Sequence, residues 1–147
     1  MKRTLPPTYF FGAMVLSVAL HLLLPLHQLL VFPGRLIGLV PLLVGIVLNL
    51  LADQAFKKHN TTVKPFETSS ALITGGVFGI SRNPMYLGMI AVLSGLVLLI
   101  GSASPWLVVV LLFLILNYRF IRTEESMLRE AFGEEFGEYC RNVRRWV

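Results

Sequence analysis

Charged residues are scarce in this chain of 147 residues. Asp, Glu, Lys and Arg together make up 14% of it, while 55% is hydrophobic and the mean hydropathy is +0.72. An average soluble domain has about 25% charged residues, and the length suits one domain. The apolar residues fall in blocks long enough to cross a bilayer, which takes about 20 residues of helix. The sequence therefore predicts an integral membrane protein.

Cysteine is nearly absent, and acidic residues are few. The single Cys140 excludes an intramolecular disulfide, so cysteine usage does not indicate a redox compartment. Eight Asp and Glu against 13 Lys and Arg give a net charge of +5. Because the basic residues flank apolar segments, we ascribe the excess to membrane orientation and predict no nucleic-acid partner. His21 and His27 have no carboxylate nearby in the sequence, so we predict no metal site.

Four apolar segments predict an all-α membrane bundle of four transmembrane helices in one domain, residues 1–147. The expected helices span about 9–31, 36–56, 84–100 and 105–121, with a polar connector, 57–83, and an amphipathic tail, 122–143. The first apolar run continues well past Ala19, which favours a retained helix over a cleaved signal peptide. Asn83 and Ser104 are helix-capping residue types, and each precedes a proline suited to the first turn.

The positions of Lys and Arg predict the orientation of the bundle. They cluster before the first helix, in the connector and in the tail, whereas the turn between the third and fourth helices has no charge. We therefore expect both termini and the connector to be cytoplasmic, in the cell inner membrane if the protein is bacterial. Membrane lipids would surround the bundle, and an oligomer is compatible with its small size.

Two polar clusters are expected at one end of the bundle. The first is the stretch 82–86, RNPMY, where the third helix begins, and the second is Glu124-Glu125, just after the fourth helix. Since the third and fourth helices form a hairpin, these sequence-distant groups should lie at the same membrane level. A site there would have an apolar side from the helices and a polar cover from the connector and tail.

The stretches LITGGVFGISRNPMYLG and RTEESMLREAFGEEFGEYCRNV, taken together, resemble the isoprenylcysteine carboxyl methyltransferase family, to which phospholipid N-methyltransferases are related. The family pattern is Arg-His-Pro-x-Tyr at the start of one helix and a Glu-Glu pair at the end of the next. An amphipathic tail with Phe-Gly and a later Tyr follows. The likeness covers about residues 72–143 of this chain.

The resemblance implies S-adenosylmethionine as methyl donor, bound at the cytoplasmic face. It also implies an acceptor that is a lipophilic small molecule, a lipid or a prenylated group, arriving laterally from the membrane. The connector would line the cofactor pocket, the start of the third helix would form one wall, and the acidic pair would face it. Arg82, Asn83 and Glu124 are also candidates for a catalytic role. Carried onto this chain, the cofactor-binding candidates are Ser70, Ala71, Leu72, Ile73, Gly76, Phe78, Arg82, Asn83, Pro84, Met85, Tyr86, Glu124 and Glu125.

The chemistry of the donor suits these side chains. The acidic pair can accept hydrogen bonds from ribose hydroxyls or the ammonium group, and Arg82 or backbone amides can bind the carboxylate. The ring of Phe78 or Tyr86 can face the sulfonium or the adenine. Methyl transfer needs alignment of donor and acceptor more than it needs an acid or a base.

Two positions depart from the family pattern. Asn83 stands where the family has His, so a titratable group is missing there. The family arginine that contacts substrate falls at Phe120, and its neighbours Arg119 and Arg122 are secondary candidates for substrate contact.

Two other functions stay open from the sequence. One is a membrane reductase resembling the sterol reductases, which would bind NADPH, although the Glu-Glu pair favours the methyl donor. The other is a small non-enzymatic membrane protein, which predicts that neither cofactor binds.

Overall fold

The computed structural model describes residues 5–59 and 71–147, and this part of the chain is helical with no named strand. The five α-helices of the described residues are α1 (Pro6–Leu23), α2 (Leu39–Lys58), α3 (Pro84–Ile100), α4 (Trp106–Ile115) and α5 (Arg122–Asn142). Two short 3-10 helices, Gly34–Gly38 and Gly76–Gly79, precede α2 and α3, and a π-helical turn, Leu116–Ile121, joins α4 to α5.

Three helical stretches of the described chain are long and apolar enough to cross a membrane: Pro6–Leu23, Gly34–Lys58 and Trp106–Asn142. α3 is equally apolar but has 17 residues, or about 25 Å at a rise of 1.5 Å per residue, against about 30 Å of bilayer hydrocarbon. α3 is also the central helix, because it packs against α1, α2 and α4. Neighbouring helices therefore shelter it along much of its length.

The first helix is shorter than the sequence predicts. An end near residue 31 is wrong, because α1 ends at Leu23. Pro25 supplies no N–H and disfavours the helical conformation of the residue before it, and Leu24 has φ −138°. Residues 24–33 are non-helical and lie against the turn between α3 and α4. There the N–H groups of Leu29 and Leu30 donate to the Gly101 carbonyl at 2.8 and 3.2 Å.

Neither predicted capping side chain caps its helix. The hydroxyl of Ser104 donates to the carbonyl of Leu20 at 3.5 Å, and the amide of Asn83 donates to the carbonyl of Arg145 at 3.0 Å. The prolines that follow already place the backbone for a helix start. Both polar side chains are thus available to join parts of the chain that are distant in sequence.

Glycines allow α2 and the 3-10 turn before it to lie directly on α3. A Cβ added to Gly45 would be 2.5 Å from the Gly88 carbonyl oxygen, and one added to Gly95 would be 2.6 Å from that of Gly38. Small residues of this kind let helix backbones approach closely in membranes. The two backbone contacts, at different heights, set the position of α2 along α3.

The main core lies where α3 meets α1, α4 and the π-helical turn. Leu93 and Val97 of α3 and Leu116 and Phe120 of the turn are fully buried. A π turn adds a residue to the helical repeat and often occurs at functional sites. Here it directs Phe120 into the core just before the acidic pair of α5.

The predicted tail forms α5, which bends at Gly133 and carries its apolar side chains inward. Gly133 has φ 49° and ψ −117°, a conformation that glycine adopts without strain. Phe136 and Tyr139 are 1% and 7% exposed. After α5, the C-terminal segment, residues 143–147, returns to the start of α3, where the Arg82 N–H donates to the Arg144 carbonyl at 3.0 Å.

Candidate functional site

The start of α3 is held by the C-terminal segment. The Arg145 carbonyl accepts two side-chain hydrogen bonds, from the Ser81 hydroxyl at 3.3 Å and from the Asn83 amide at 3.0 Å. Ser81 also accepts the backbone N–H of Asn83 at 3.1 Å. Both side chains are buried, at 1% and 8% exposure. Buried polar groups of this kind fix backbone geometry because leaving them unpaired is costly.

Tyr86 and Glu124 join α3 to α5. The Tyr86 hydroxyl donates to a carboxylate oxygen of Glu124 at 2.5 Å, across 38 positions of sequence. Tyr86 is 7% exposed, and its ring packs on Phe120 with centroids 6.4 Å apart. The predicted meeting of the start of the third helix with the acidic pair is therefore present in the structure.

Glu125 lies in a cluster with two arginines. Arg145 donates to both of its carboxylate oxygens, from Nε at 3.0 Å and from Nη2 at 2.5 Å, and Arg82 Nη2 lies 3.3 Å from one of them. The hydrogen bond to Glu125 raises the pKa of the Arg145 guanidinium. Both oxygens of Glu125 are thus engaged by the protein, which suits a supporting role better than direct contact with a ligand.

One N–H group of the Arg82 side chain has no hydrogen-bond partner among the described residues. Its Nη1 contacts the Cys140 sulfur, and its Nη2 faces Glu125, but its Nε is buried without a hydrogen-bond partner among the described residues. Two guanidinium groups face one carboxylate, so the cluster carries an excess positive charge. A buried, unpaired N–H beside that charge can receive an anionic group.

The connector contributes a small second core beside the site. Phe78 packs edge-on against Phe56 with centroids 5.3 Å apart, and its carbonyl accepts the Tyr139 hydroxyl at 2.6 Å. Ile73 is buried in the same cluster, and Met85 packs against it. These predicted cofactor residues are therefore largely enclosed by protein.

The other connector candidates differ in exposure. Ala71 and Leu72 are half-buried, and Pro84 is fully buried. Gly76 is exposed with φ 62° and has open space where a side chain would be, which leaves its backbone accessible. Ser70 lies outside the described residues.

Of the two secondary substrate candidates, Arg119 lies in the π turn and Arg122 is the first residue of α5. Arg119 and Arg122 are exposed, with guanidinium groups 5.6 Å from the Tyr9 ring centroid and 4.3 Å from that of Tyr118. Phe120, at the position of the family arginine, is fully buried and packs edge-on against Tyr9 at 5.5 Å. The arginines thus border the site without entering it.

An apolar groove of about 330 Å³ runs between α1 and α4. Its lining includes Tyr9, Gly12, Leu16 and Leu111, and a Cβ at Gly12 would meet nothing within 4 Å. Tyr9 connects the groove to Phe120, which in turn contacts Tyr86. The ring of Phe120 therefore lies between the groove and the Tyr86–Glu124 pair.

The sequence did not single out Arg145 or Tyr139, although both organise the site. Tyr139 falls within the predicted amphipathic tail, yet its hydroxyl holds the connector through the Phe78 carbonyl. In the sequence, Arg145 is one of several basic residues that follow the fourth helix. The available signal was Arg144-Arg145-Trp146 directly after a helix, since an aromatic there can anchor a returning segment. Trp146 indeed packs on Phe113 at 4.8 Å.

Comparison with known proteins identifies the chain. The family model for phospholipid methyltransferase matches residues 34–135, more than half of the sequence. The chain belongs to the phospholipid methyltransferase family. This membership confirms the predicted enzyme class, a membrane methyltransferase, and argues against the reductase alternative.

Two individual proteins are similar in sequence to this phospholipid methyltransferase family member. A probable protein-S-isoprenylcysteine O-methyltransferase from Oryza sativa subsp. indica is 31% identical over 139 residues, covering 88% of this chain and 72% of the rice protein. An uncharacterized protein of Haemophilus influenzae is 36% identical over 63 residues, covering 43% of this chain and 100% of that protein.

A solved structure supports the fold. The eukaryotic intramembrane Ras methyltransferase, isoprenylcysteine carboxyl methyltransferase, superimposes with a TM-score of 0.68 at 24% identity over 96% of this chain. The chain spans 51% of the length of that protein. The match confirms the predicted all-α fold, and the three long apolar stretches of the described residues support an integral membrane protein.

Proposed function

We propose that this protein transfers the methyl group of S-adenosylmethionine to a lipophilic acceptor at the membrane surface. The observation that carries the proposal is the contact between Tyr86 and Glu124 at 2.5 Å, which brings the start of α3 against the acidic pair of α5. Family membership supports the reaction class. The name of the rice relative supports an acceptor that bears a hydrocarbon or prenyl chain.

The side chains at this end of the bundle fit the donor. Its carboxylate matches the unpaired Arg82 Nε and the excess positive charge of the cluster. Its ammonium or ribose hydroxyls match the Glu124 carboxylate. The open backbone at Gly76 allows a further close approach.

The residues would bind and orient rather than exchange protons. When bound, the donor would supply an electrophilic sulfonium methyl group to a nucleophilic atom of the acceptor. Arg82 and Glu124 would hold different groups of the donor, and the Tyr86 hydroxyl fixes the direction of the Glu124 carboxylate. Alignment of this kind can supply much of the rate enhancement of a displacement reaction.

The groove between α1 and α4 would take the hydrocarbon chain of the acceptor. Its volume of about 330 Å³ falls within the usual range of ligand pockets, roughly 300–1,000 Å³. Tyr9 and Phe120 lead from it to the Tyr86–Glu124 pair. An acceptor entering there could stay in the membrane while its polar end reaches the site.

We also propose that the site and both termini face the cytoplasm. The support is the distribution of Lys and Arg along the sequence, where they cluster before the first helix, between the second and third helices, and after the fourth. In a bacterium this places the donor site at the inner membrane, with access to the cytosolic donor.

Donor binding by the purified protein tests the proposal. We expect the wild type to bind S-adenosylmethionine in calorimetry, and Glu124→Ala and Arg82→Ala to bind it at least about tenfold more weakly, since each removes a charged hydrogen bond. Glu130→Ala is the matched control, because Glu130 is an exposed acid on the same helix.

The wild-type result also separates the alternatives. Absence of donor binding would refute the proposal, and binding of NADPH instead would favour a reductase. Binding of neither would favour a non-enzymatic protein. Labelled donor incubated with a membrane lipid extract would then identify the acceptor.

A further inference from the structure

Arg145 contacts both halves of the candidate site. Its guanidinium holds Glu125 through two hydrogen bonds, at 3.0 and 2.5 Å. Its carbonyl accepts the side chains of Ser81 and Asn83. Arg145, which lies beyond the end of α5, therefore joins the acidic pair of α5 to the start of α3. Its side chain makes the first contact and its backbone carbonyl makes the second.

We propose that Arg145 is a positioning residue for the donor site, a role that rests on the proposed function. Glu125 is 12% exposed at its side chain and is shared between Arg145 and Arg82. With Arg145 holding the carboxylate from one side, Arg82 binds it from the other through Nη2, and Arg82 Nε is left unpaired. Arg145 thereby sets which Arg82 donor remains for the ligand.

The arrangement depends on a guanidinium group. Two N–H groups meet the two oxygens of one carboxylate in a fixed fork, which an ammonium group cannot reproduce. Without Arg145, Glu125 would keep a single arginine partner, and Arg82 would be free to rotate its other donors onto it. The start of α3 would also lose the segment that holds Ser81 and Asn83.

Two substitutions and a control test this role. Arg145→Gln removes the charge and the fork, and Arg145→Lys keeps the charge alone. Arg144→Gln is the control, because the Arg144 side chain is exposed and the substitution keeps the carbonyl that accepts Arg82 N–H. Ser81→Ala is a second variant, for use if Arg145→Gln does not elute as a folded species. It keeps the Arg145 guanidinium but removes the hydroxyl that donates to the Arg145 carbonyl and accepts the Asn83 N–H.

The first measurement compares the affinity for S-adenosylmethionine with the turnover rate, kcat. We expect Arg145→Gln to raise the Kd and KM for S-adenosylmethionine about tenfold to hundredfold, the range of a charged hydrogen bond. The kcat at saturating donor should change much less, because the proposed role of Arg145 is to order Glu125 and Arg82 and not to take part in the transfer step. Arg145→Lys should be intermediate, Ser81→Ala should show a smaller rise, and Arg144→Gln should match the wild type.

The second readout does not depend on the donor. Trp146 follows Arg145 and packs on Phe113 at 4.8 Å, and in a Trp106→Phe background it is the remaining tryptophan. We expect acrylamide to quench Trp146 fluorescence more strongly in Arg145→Gln than in Arg144→Gln, because the C-terminal segment has lost its anchor.

The outcomes separate this inference from the proposed function. Unchanged donor affinity in Arg145→Gln, full recovery with lysine, or an equal loss in Arg144→Gln would overturn it. Greater quenching without weaker donor binding would also overturn it, since the role would then be structural. If the wild type binds no donor, the proposed function fails, and unchanged quenching would separately show that Arg145 does not hold the segment.

Discussion

The hydrogen bond between Tyr86 and Glu124 allows a quantitative prediction. Tyr86→Phe removes one hydroxyl and leaves the ring in place against Phe120, 6.4 Å away. The donor–acceptor distance of 2.5 Å lies at the short end for a hydroxyl on a carboxylate, about 2.5–2.7 Å. A hydrogen bond to a charged group contributes about 1.5–3 kcal/mol. Water cannot readily replace it, because Tyr86 is 7% exposed.

Loss of this bond should appear in donor binding. Without the Tyr86 hydroxyl, binding of S-adenosylmethionine must itself order the Glu124 carboxylate. We therefore expect the Kd of Tyr86→Phe for S-adenosylmethionine to rise about tenfold, which corresponds to about 1.4 kcal/mol. Isothermal calorimetry on protein in detergent micelles or nanodiscs measures this directly.

A double-mutant cycle shows whether the effect comes from this pair. Tyr86→Phe and Glu124→Gln act on one bond, so their combined effect should be well below the sum of the two single effects. Additive effects, or wild-type affinity in Tyr86→Phe, would refute the reasoning. Tyr118→Phe is the matched control, since Tyr118 is 56% exposed on the neighbouring turn.

Two further predictions concern helix packing and the groove. Gly45→Ala should lower the free energy of unfolding by about 1–3 kcal/mol, the usual cost of overpacking, because the added Cβ would lie 2.5 Å from the Gly88 carbonyl oxygen. Thermal unfolding would compare this variant with Gly12→Ala, where the added Cβ meets open space. Equal stability of the two variants would contradict the close contact between α2 and α3. Gly12→Phe should fill the groove and lower methyl transfer to a lipophilic acceptor while leaving donor affinity unchanged. Val15→Phe, at a 71% exposed position of the same helix, should retain activity, and equal rates in the two variants would exclude the groove as the acceptor site.

Much of this protein follows from local features of the sequence. The scarcity of charge and the length of the apolar runs predict a membrane bundle, because polar backbone in lipid must be satisfied within helices. The hairpin of the third and fourth helices places the start of one near the end of the other, which is why Tyr86 and Glu124 could be expected together. The family resemblance of the two motifs was likewise readable from consecutive residues.

Other features were not readable, because one local pattern permits several outcomes. Asn83 before a proline is typical of a helix cap, yet the proline already sets the helix start and the amide binds Arg145 instead. The apolar run through Pro25 reads as one helix, although a missing N–H is enough to end α1. Glu125 and Glu124 are adjacent and chemically alike, so no pattern could assign them different partners.

Hydropathy, periodicity and short motifs depend on neighbouring residues, so they are enough to predict the membrane bundle, the family and the approach of the acidic pair to the start of α3. The contacts of Glu124 with Tyr86, of Glu125 with two arginines and of Arg145 with the start of α3 are visible only in the folded chain. Those pairings depend on the direction of each side chain after a π turn and a bend at Gly133. A change of helical register by one residue rotates every later side chain, and only packing selects which rotation is stable.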